Sequence, residues 1–278
     1  MRALVTGAAG QLGRAIVERF SSSMTVLPLG RADLDVTSEA DVRRAVDTAR
    51  PDVVVNCSAY NAVDEAQQRA AEALEVNGCA VLALARAARD AGALLVHYGT
   101  DFVFDGLASQ PYVETDPPHP QSHYALSKLL GEWFAATVPG HYVLRVESLF
   151  GGERAKGSID RILGAIRRGE PASVFTDRTV TPAYVVDVAE ATLQVIERRP
   201  PAGVYHCVNS GVTTWLGIGE ELVRLLRREA TLIPTSVDSV TFRAKRPKYC
   251  ALSNDKLRLA GIEMPSWQDA LARYVKKL

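Results

Sequence analysis

The sequence lacks an excess of charge of either sign, a long apolar run and closely spaced cysteines. Its 278 residues include 32 lysines and arginines against 32 aspartates and glutamates, so no basic surplus favours nucleic acid or an anionic membrane as a partner. The first apolar run is broken by Gly7, too early for a secretory signal, and no later run is long enough to span a membrane. We therefore expect a cytoplasmic protein that binds neither nucleic acid nor membranes.

The four cysteines are scattered and form no C-x-x-C pair, so neither a disulfide framework nor a cysteine zinc site is expected. The histidines also lack the spacing of a metal-binding pair. His119 and His123 are four residues apart, but Pro120 lies between them and disfavours a regular helix there. The sequence therefore predicts buried free thiols and no metal site.

Short apolar runs alternate with amphipathic stretches through the first 150 residues. The runs predict strands at 3–6, 24–29, 53–56, 94–98 and 142–146. Between them the spacing predicts helices, including a long alanine-rich helix that ends at Ala91. Continuously apolar strands that alternate with helices are typical of a parallel sheet covered on both faces. We therefore expect an α/β protein with a Rossmann-like, doubly wound parallel sheet.

Beyond Gly151 the pattern becomes intermittent. Helices are predicted around 158–168, 186–198, 215–228 and 267–276. These segments are too separate to form a core of their own, so we expect a smaller lobe at the carboxyl ends of the strands. The prediction is a dinucleotide-binding domain over residues 1–150 and a substrate-binding lobe over residues 151–278, with parts of the chain crossing between them.

A glycine-rich loop follows the first predicted strand and precedes the first helix. Gly7, Gly10 and Gly13 form G-x-x-G-x-x-G, which differs from G-x-G-x-x-G and is a weak signal by itself. The position strengthens the signal, because backbone amides at a helix N-terminus bind a pyrophosphate well. We therefore expect a nicotinamide dinucleotide to bind at this loop, with Gln11 and Leu12 among its contacts.

The residues after the second strand should decide between the two nicotinamide dinucleotides, because the adenosine ribose lies there. An arginine accommodates the 2′-phosphate of NADPH, whereas an acidic side chain favours a free 2′-hydroxyl. The sequence has Arg31 at the end of the strand and Asp33 and Asp35 soon after it. Arg31 favours NADPH, with NADH left open and a solvated surface arginine as the alternative.

Tyr124 and Lys128 lie four residues apart and therefore share one face of a predicted helix. A free tyrosine, with a pKa of about 10, is a poor acid–base catalyst at neutral pH. We expect the lysine ammonium and a nicotinamide cation to lower the pKa of Tyr124. Thr100, at the carboxyl end of the fourth strand, offers a hydroxyl that could polarise a substrate carbonyl. Taken singly, the Tyr-x-x-x-Lys spacing occurs by chance in many helices, and Thr100 could simply end a strand.

These elements in this order resemble the extended short-chain dehydrogenase/reductase superfamily and, within it, the dTDP-4-dehydrorhamnose reductase family. The similarity follows the chain almost from end to end. Its matching segments include Gly10–Gly13, Leu34–Thr37, Val54–Asn56, Thr100–Gly106, Tyr124–Glu132, Gly203–His206 and Arg246–Pro247.

The resemblance implies an NADPH-dependent oxidoreductase that reduces the 4-keto group of a nucleotide-linked 6-deoxyhexose. It implies that Tyr124 donates the proton, Lys128 orients the nicotinamide ribose and Thr100 binds the keto oxygen. Further cofactor contacts are implied at Arg31, Asp35, Val36, Ser58, Ala59, Tyr60 and Asn77. The substrate is implied to lie against Asp101, Phe102, Asp177, Arg178, Pro182 and Arg246.

Several positions depart from the usual pattern of that family, and all are expected near the substrate. This chain has Gly99 where the family usually has serine, Phe102 where it has tyrosine, and Asn61 where it has threonine. After the fifth strand it has Val146-Glu147-Ser148 where the family has Thr-Ser-Trp. None of them alters the proton-transfer pair. The residues therefore support the reductase chemistry better than they support one particular sugar.

Other activities of the same scaffold stay open. A 4,6-dehydratase would normally have Thr-Asp-Glu where this chain has Thr100-Asp101-Phe102, which disfavours that reaction. A sugar-nucleotide 4-epimerase needs only the tyrosine–lysine pair and bound NAD. A further alternative is a non-catalytic, dinucleotide-binding subunit like the regulatory subunit of methionine adenosyltransferase. A homodimer, and a magnesium ion bridging two subunits, are also left open.

Overall fold

The computed structural model describes residues 1–152 and 157–278, and a parallel sheet forms its centre. In chain order the strands are β1 (Arg2–Thr6), β2 (Thr25–Leu29), β3 (Val53–Asn56), β4 (Leu94–Thr100), β5 (His141–Val146), β6 (Ala172–Phe175), β7 (Thr179–Val180), β8 (Gly203–His206), β9 (Thr213–Thr214) and β10 (Leu232–Thr235). The central sheet has six strands in the order β2-β1-β3-β4-β5-β8, and every neighbouring pair is parallel.

Helices follow most of the strands. They are α1 (Gln11–Phe20), α2 (Glu39–Ala49), α3 (Ala70–Leu74), α4 (Ala80–Asp90), α5 (His123–Ala135), α6 (Ser158–Arg168), α7 (Val185–Arg198), α8 (Trp215–Leu226), α9 (Asp255–Leu259) and α10 (Trp267–Lys277). A π-helical turn over Glu75–Cys79 joins α3 to α4, so the alanine-rich segment is one interrupted helix. Among the described residues, none of these helices combines the length and apolar character needed to cross a bilayer.

Successive residues of the sheet strands face two separate apolar layers, as the two-residue period of a strand requires. Val53 and Val55 pack in the layer that contains residues of α1 and α7, whereas Val54 packs in the layer that contains residues of α2 and α4. Both faces of the sheet are therefore covered by helices. This arrangement confirms the doubly wound fold predicted from the continuously apolar strands.

The strand order opens a crevice at the carboxyl edge of the sheet. β2 lies on one side of β1, and β3 and the later strands lie on the other side. The connections that leave β1 and β3 therefore run in opposite directions and leave a gap between them. Hydrogen bonds connect the ends of β1 and β3. Asn56 Oδ1 accepts from Thr6 Oγ1 at 2.7 Å and from Ser58 N at 3.0 Å. Open α/β sheets bind their ligands at such a switch point.

The second half of the chain contributes to both parts of the molecule. β8, which the sequence analysis did not predict, extends the central sheet beside β5, and α7 packs against α1. The remaining segments include two small sheets, β6 with β10 and β7 with β9. The sequence predicted that parts of the chain cross between the two parts of the molecule. The domain boundary at residue 150 stays a prediction. Residues 153–156, which belong to the predicted lobe, lie outside the described residues.

Candidate active site

A cleft of about 620 Å³ lies along the carboxyl edge of β1, β3, β4 and β5. Its walls come from the glycine loop, the loop after β3, the end of β4, α5 and the smaller lobe. The predicted site residues that line it are Gly10, Gln11, Leu12, Gly13, Ser58, Ala59, Thr100, Asp101, Phe102, Tyr124, Lys128 and Arg178. Residues that are far apart in the sequence are thus brought together as the sequence analysis predicted.

The glycine loop has the properties of an anion-binding site. Gly7 adopts a left-handed φ of 62°, and a Cβ there would lie 2.6 Å from the carbonyl carbon of Cys57, so only glycine fits beneath the loop. A Cβ on Gly13 would overlap the Gly7 carbonyl oxygen. Gly10 is the N-cap of α1, and among the described residues no side chain caps this helix and no acidic residue lies in its first turn. The positive end of α1 therefore fits a pyrophosphate.

The loop after β3 is held from behind by Asn77. Its Oδ1 accepts from Tyr60 N at 2.8 Å, and its Nδ2 donates to Tyr60 O at 3.1 Å and to Ser127 Oγ at 2.9 Å. Ser58 and Ala59 of this loop line the cleft, whereas Tyr60 and Asn77 do not. Asn77 therefore holds this loop in place, and its contact with the cofactor stays a prediction.

The predicted ribose residues lie at the surface where β2 ends, beside the glycine loop. Ala8 N donates to Leu29 O at 3.2 Å, which joins the end of β2 to that loop. Arg31 and Asp35 are both exposed. Hydrogen bonds from Thr37, together with the charge of Arg31, hold the pKa of Asp35 below its usual value. Val36 is half-buried and packs against the apolar layer of α2.

Thr100, Tyr124 and Lys128 converge where β4 ends, and all three are buried. Ser122 begins α5 by accepting a hydrogen bond from Ala125 N at 3.2 Å, which places Tyr124 in the first turn, facing β4. Thr100 Oγ1 donates to Asp101 Oδ1 at 3.0 Å and accepts from Phe102 N at 3.3 Å. Lys128 Nζ donates to Tyr98 O at 2.6 Å.

The structure corrects the expectation for the pKa of Tyr124. Burial and the negative charge of Asp101 raise this pKa above its usual value, and they outweigh the opposing effects of the neighbouring Thr100 hydroxyl and the charge of Arg246. Lys128 is not among the groups that shift this pKa, and its ammonium donates to the Tyr98 carbonyl. Tyr124 is therefore a protonated phenol at neutral pH, which is the form that a proton donor needs.

Burial acts in the opposite direction on the lysine. It lowers the pKa of Lys128 to about 8, against the smaller opposing effects of Glu132 and Cys57. The ammonium form of Lys128 therefore loses its proton within a pH range that is accessible to assay.

Phe102 lies between two arginines and against Tyr124. The Cζ atoms of Arg178 and Arg246 are 5.4 Å and 5.8 Å from the centroid of its ring, and the Tyr124 ring meets it edge-on at 5.8 Å. Arg246 Nη2 donates to Asp64 at 2.7 Å. Arg178 Nε and Arg246 Nη1, in contrast, are buried without a hydrogen-bond partner among the described residues. Because a buried donor without an acceptor is unfavourable, these two guanidinium groups indicate the site of an oxygen-rich or anionic ligand.

Three predicted substrate residues, Asp177, Pro182 and Arg246, are not among the residues that line the cleft. The Asp177 carboxylate accepts from Ser236 Oγ at 2.7 Å and from Val237 N at 2.9 Å, and it lies 3.3 Å from Lys248 Nζ. It therefore ties the end of β6 to the end of β10. Pro182 is buried in the segment between β7 and α7. Asp177 and Pro182 support the lobe and do not face its cleft.

The departure at Gly99 has a structural cause that the sequence did not reveal. A Cβ there would collide with Glu132 Oε1 and lie 2.9 Å from Arg145 Cγ. Glu132 and Arg145 form a buried ion pair in which Arg145 Nη2 is 2.8 Å from Glu132 Oε2. Gly99 itself lines the cleft, and the space that a side chain there would need is occupied by the ion pair.

Two residues near the cleft were not among the predicted site residues. Trp215 lines it and has a buried Nε1 without a partner among the described residues, so an aromatic is present although Ser148 replaces the expected tryptophan. Its signal in the sequence is the pair Thr214-Trp215, which also occurs in the family that the chain resembles. Glu147 is buried behind Ser148 and accepts hydrogen bonds from Thr181 N at 2.6 Å and from Thr181 Oγ1 at 2.7 Å.

A second cavity of about 390 Å³ adjoins the cleft and shares Ser158, Arg178 and Trp215 with it. Its other walls come from α6, β6 and the segment after β10, and they include Arg161, Pro171, Phe175, Val240 and Phe242. The cleft therefore continues from the catalytic group into an aromatic chamber of the smaller lobe.

The parallel sheet, the glycine loop and the Thr100–Tyr124–Lys128 group define an NAD(P)-dependent oxidoreductase of the extended short-chain type. A family model described as the RmlD substrate binding domain matches residues 1–278, and the chain belongs to this family. The predicted fold class and the predicted family are both confirmed.

Similar proteins cover the chain almost completely. It is 35% identical to the dTDP-4-dehydrorhamnose reductase of Burkholderia thailandensis, over 100% of this chain and 99% of that protein. It is 36% identical to a probable dTDP-4,6-dihydroxy-2-methyloxan-3-one 4-ketoreductase of Streptomyces antibioticus, over 98% of this chain and 93% of the relative. A dTDP-4-dehydrorhamnose reductase from Bacillus anthracis, solved in complex with NADP, superposes with a TM-score of 0.95 at 29% identity, covering 100% of this chain and 99% of that one.

Proposed function

We propose that this protein uses NADPH to reduce the 4-keto group of a nucleotide-linked 6-deoxyhexose, as a dTDP-4-dehydrorhamnose reductase does. The observation that carries the proposal is the meeting of Thr100 and Tyr124 with the glycine loop in one cleft. The activities for which the relatives from Burkholderia and Streptomyces are named support a 4-keto group on a dTDP-linked substrate. They also differ in the sugar, so the proposal names the class of substrate and not one hexose.

The buried hydroxyls define the chemistry at the keto group. Thr100 and Tyr124 both line the cleft, so both can meet the keto oxygen, Thr100 polarising it and Tyr124 protonating it. Bound NADPH would supply the hydride to the keto carbon. Gln11 and the glycines of the loop would hold its pyrophosphate, and Lys128 is placed to turn from the Tyr98 carbonyl to a ribose hydroxyl.

The smaller lobe supports a nucleotide-linked substrate. Arg178 and Arg246 offer their unsatisfied N–H groups to a diphosphate. The adjoining cavity, with Phe175 and Phe242 in its wall, offers aromatic faces to a nucleobase. A hexose beside Tyr124 and a nucleoside beyond Trp215 would thus occupy the two connected spaces, and residues 151–278 would serve as the substrate-binding part of the protein.

The test is NADPH oxidation by the purified protein with a panel of dTDP-4-keto-6-deoxyhexoses. We expect stoichiometric NADPH consumption with at least one member of the panel and formation of the corresponding 4-hydroxy sugar. Epimerisation without net NADPH consumption would favour the epimerase alternative. Tight NADPH binding without turnover on any member would favour a non-catalytic dinucleotide-binding subunit.

Arg31→Ala is expected to raise the KM for NADPH about tenfold or more, while the KM for NADH changes by less than about twofold. A charge-assisted hydrogen bond contributes roughly 1.5–3 kcal/mol, and only NADPH has the 2′-phosphate that Arg31 could bind. Steady-state kinetics with each cofactor measures the difference, and NADH serves as the internal control. An unchanged KM for NADPH would mean that Arg31 is an ordinary surface residue.

The kcat/KM of the wild-type protein is expected to fall as the pH rises through about 8, by about tenfold per pH unit at the steepest. Below this pH Lys128 is an ammonium that can bind the ribose and stabilise a phenolate, and above it the amine is neutral. Because kcat/KM reports ionisations of the free protein, the lowered pKa of Lys128 sets the position of the fall. Lys128→Met should have a low kcat/KM without this limb, whereas a wild-type profile that is flat through pH 8 would contradict the assignment.

A further inference from the structure

His97 lies inside the central sheet without access to solvent. It is 0% exposed, and the register of β3 and β4 places it beside Asn56. Helix α5 covers the Nε2 edge of its ring so closely that a Cβ on Gly131 would lie 3.1 Å from this nitrogen. Within residues 1–152 and 157–278, Nε2 has no hydrogen-bond partner. Because a buried polar atom without a partner is unfavourable, an apolar side chain would suit the position better unless Nδ1 makes a contact that the protein requires.

The hydrogen bonds of Asn56 show which ring nitrogen is the acceptor. Asn56 Oδ1 accepts from Ser58 N at 3.0 Å, and a backbone N–H can only donate, so the amide oxygen must face that nitrogen. The amide nitrogen then faces His97, with Nδ2 3.1 Å from Nδ1. Since Nδ2 only donates, Nδ1 accepts, and the neutral ring carries its hydrogen on Nε2. Burial, which lowers the pKa of His97, agrees with a neutral ring.

This contact determines how the Asn56 amide is turned. In the observed orientation its oxygen accepts from Thr6 Oγ1 at 2.7 Å as well as from Ser58 N, and its nitrogen donates to His97. With the amide turned over, Nδ2 would face the N–H of Ser58, and Oδ1 would face the Nδ1 lone pair of His97. Both of these hydrogen bonds would then be lost together. An acceptor at position 97 therefore strengthens the preference of Asn56 for the observed orientation.

The orientation of Asn56 bears directly on the cleft. Asn56 and Ser58 line it at the carboxyl end of β3, beside the glycine loop. The two loops touch, since the space beside Gly7 is filled by the backbone of Cys57 and Ser58. The resemblance predicts cofactor contacts at Ser58 and Ala59. The hydrogen bond from Ser58 N to Asn56 Oδ1 thus holds the backbone that these predicted contacts require.

Building on the proposed function, we propose that His97 is a positioning residue for NADPH: its Nδ1 keeps the Asn56 amide turned so that Oδ1 holds the loop after β3 in the shape that binds the cofactor. His97 is not among the described residues that line the cleft, so it acts only through Asn56. The residues of the chemical step, Thr100 and Tyr124, are not part of this hydrogen-bonded group. The role should therefore appear in the affinity for NADPH and not in kcat.

A pair of substitutions separates this role from simple packing. In His97→Asn the side-chain oxygen can replace Nδ1 as the acceptor for Asn56, whereas His97→Leu fills the site without an acceptor. We expect the Kd of NADPH, measured by fluorescence titration, to rise about tenfold in His97→Leu and to stay within about threefold in His97→Asn. Urea denaturation should give the opposite order, with His97→Leu the more stable of the two, because asparagine leaves a cavity and a buried amide nitrogen. NADPH affinities that followed stability would show a packing role only and overturn the proposal.

Two further measurements complete the test. In the wild-type protein, nitrogen NMR of the imidazole ring should show the Nε2–H tautomer of His97, and an Nδ1–H tautomer would exclude the acceptor without any variant. With the responsive dTDP-4-keto-6-deoxyhexose, His97→Leu should raise the KM for NADPH about tenfold and leave kcat within about twofold.

The outcomes separate this role from the proposed function. Wild-type turnover together with an unchanged NADPH Kd in His97→Leu overturns the positioning role alone. If the wild type binds NADPH but reduces no sugar of the panel, the proposed function fails, while the Kd comparison still decides the role of His97. A wild-type protein that binds no NADPH overturns both.

Discussion

Tyr124→Phe is expected to lower kcat for the reduction by about 10²–10⁴-fold, because a positioned general acid contributes a factor of that size. The phenyl ring keeps the edge-on contact with Phe102 at 5.8 Å, so the substitution removes the hydroxyl and leaves the packing. NADPH affinity should change by less than about twofold, since the glycine loop and Lys128 are untouched. Steady-state oxidation of NADPH and a fluorescence titration of NADPH binding measure the two quantities separately.

Tyr142→Phe provides the matched control for loss of a tyrosine hydroxyl. The Tyr142 hydroxyl donates to Pro200 O at 2.7 Å, and Tyr142 does not line the cleft. This variant should retain kcat and lose only about 1 kcal/mol of unfolding free energy, the usual contribution of one hydrogen bond. If Tyr124→Phe turned over as fast as Tyr142→Phe, another group would have to donate the proton.

The parts of the fold that could be predicted are those with strong local periodicity. The strands before residue 150 are continuously apolar, so both their type and their parallel arrangement follow from the sequence. β8 was missed because Gly203–His206 is short and its first two residues are only half-buried, which leaves no apolar run to detect. Its pairing with β5 depends on the packing of a distant segment.

The candidate site shows the same division between local and distant information. The glycine loop, the Tyr124–Lys128 pair and Thr100 could be proposed because each is marked by its place in one element, at a helix start, on one helix face and at a strand end. The orientation of Lys128 toward Tyr98 and the support of Glu147 by Thr181 could not, because these partners are 30 and 34 residues apart in the chain. Burial then reversed the expected direction of the pKa of Tyr124, and burial is a property that local spacing does not report.

The buried ion pair between Glu132 and Arg145 illustrates how such distant contacts support the site. Arg145 Nε lies 3.1 Å from both carboxylate oxygens of Glu132, and the two side chains are only 4% and 3% exposed. Burial and the adjacent Arg145 lower the pKa of His206 to about 3, so His206 stays neutral and does not compete for the carboxylate. The pair fills the space beside Gly99 and thereby fixes the backbone that leads into Thr100.

Glu132→Met is therefore expected to lower the free energy of unfolding by about 3–5 kcal/mol, because it leaves the Arg145 guanidinium buried without a counter-ion. The double variant Glu132→Met/Arg145→Met should be less destabilised than this single variant, since two unbranched apolar side chains can fill the same volume without an unpaired charge. Urea denaturation of the wild type, both single variants and the double variant gives the coupling between the two positions. Additive effects of the two substitutions on the free energy of unfolding would contradict a pair in which each charge depends on the other. A double variant that is more stable than the single variants would show that each buried charge is tolerated only when its partner is present.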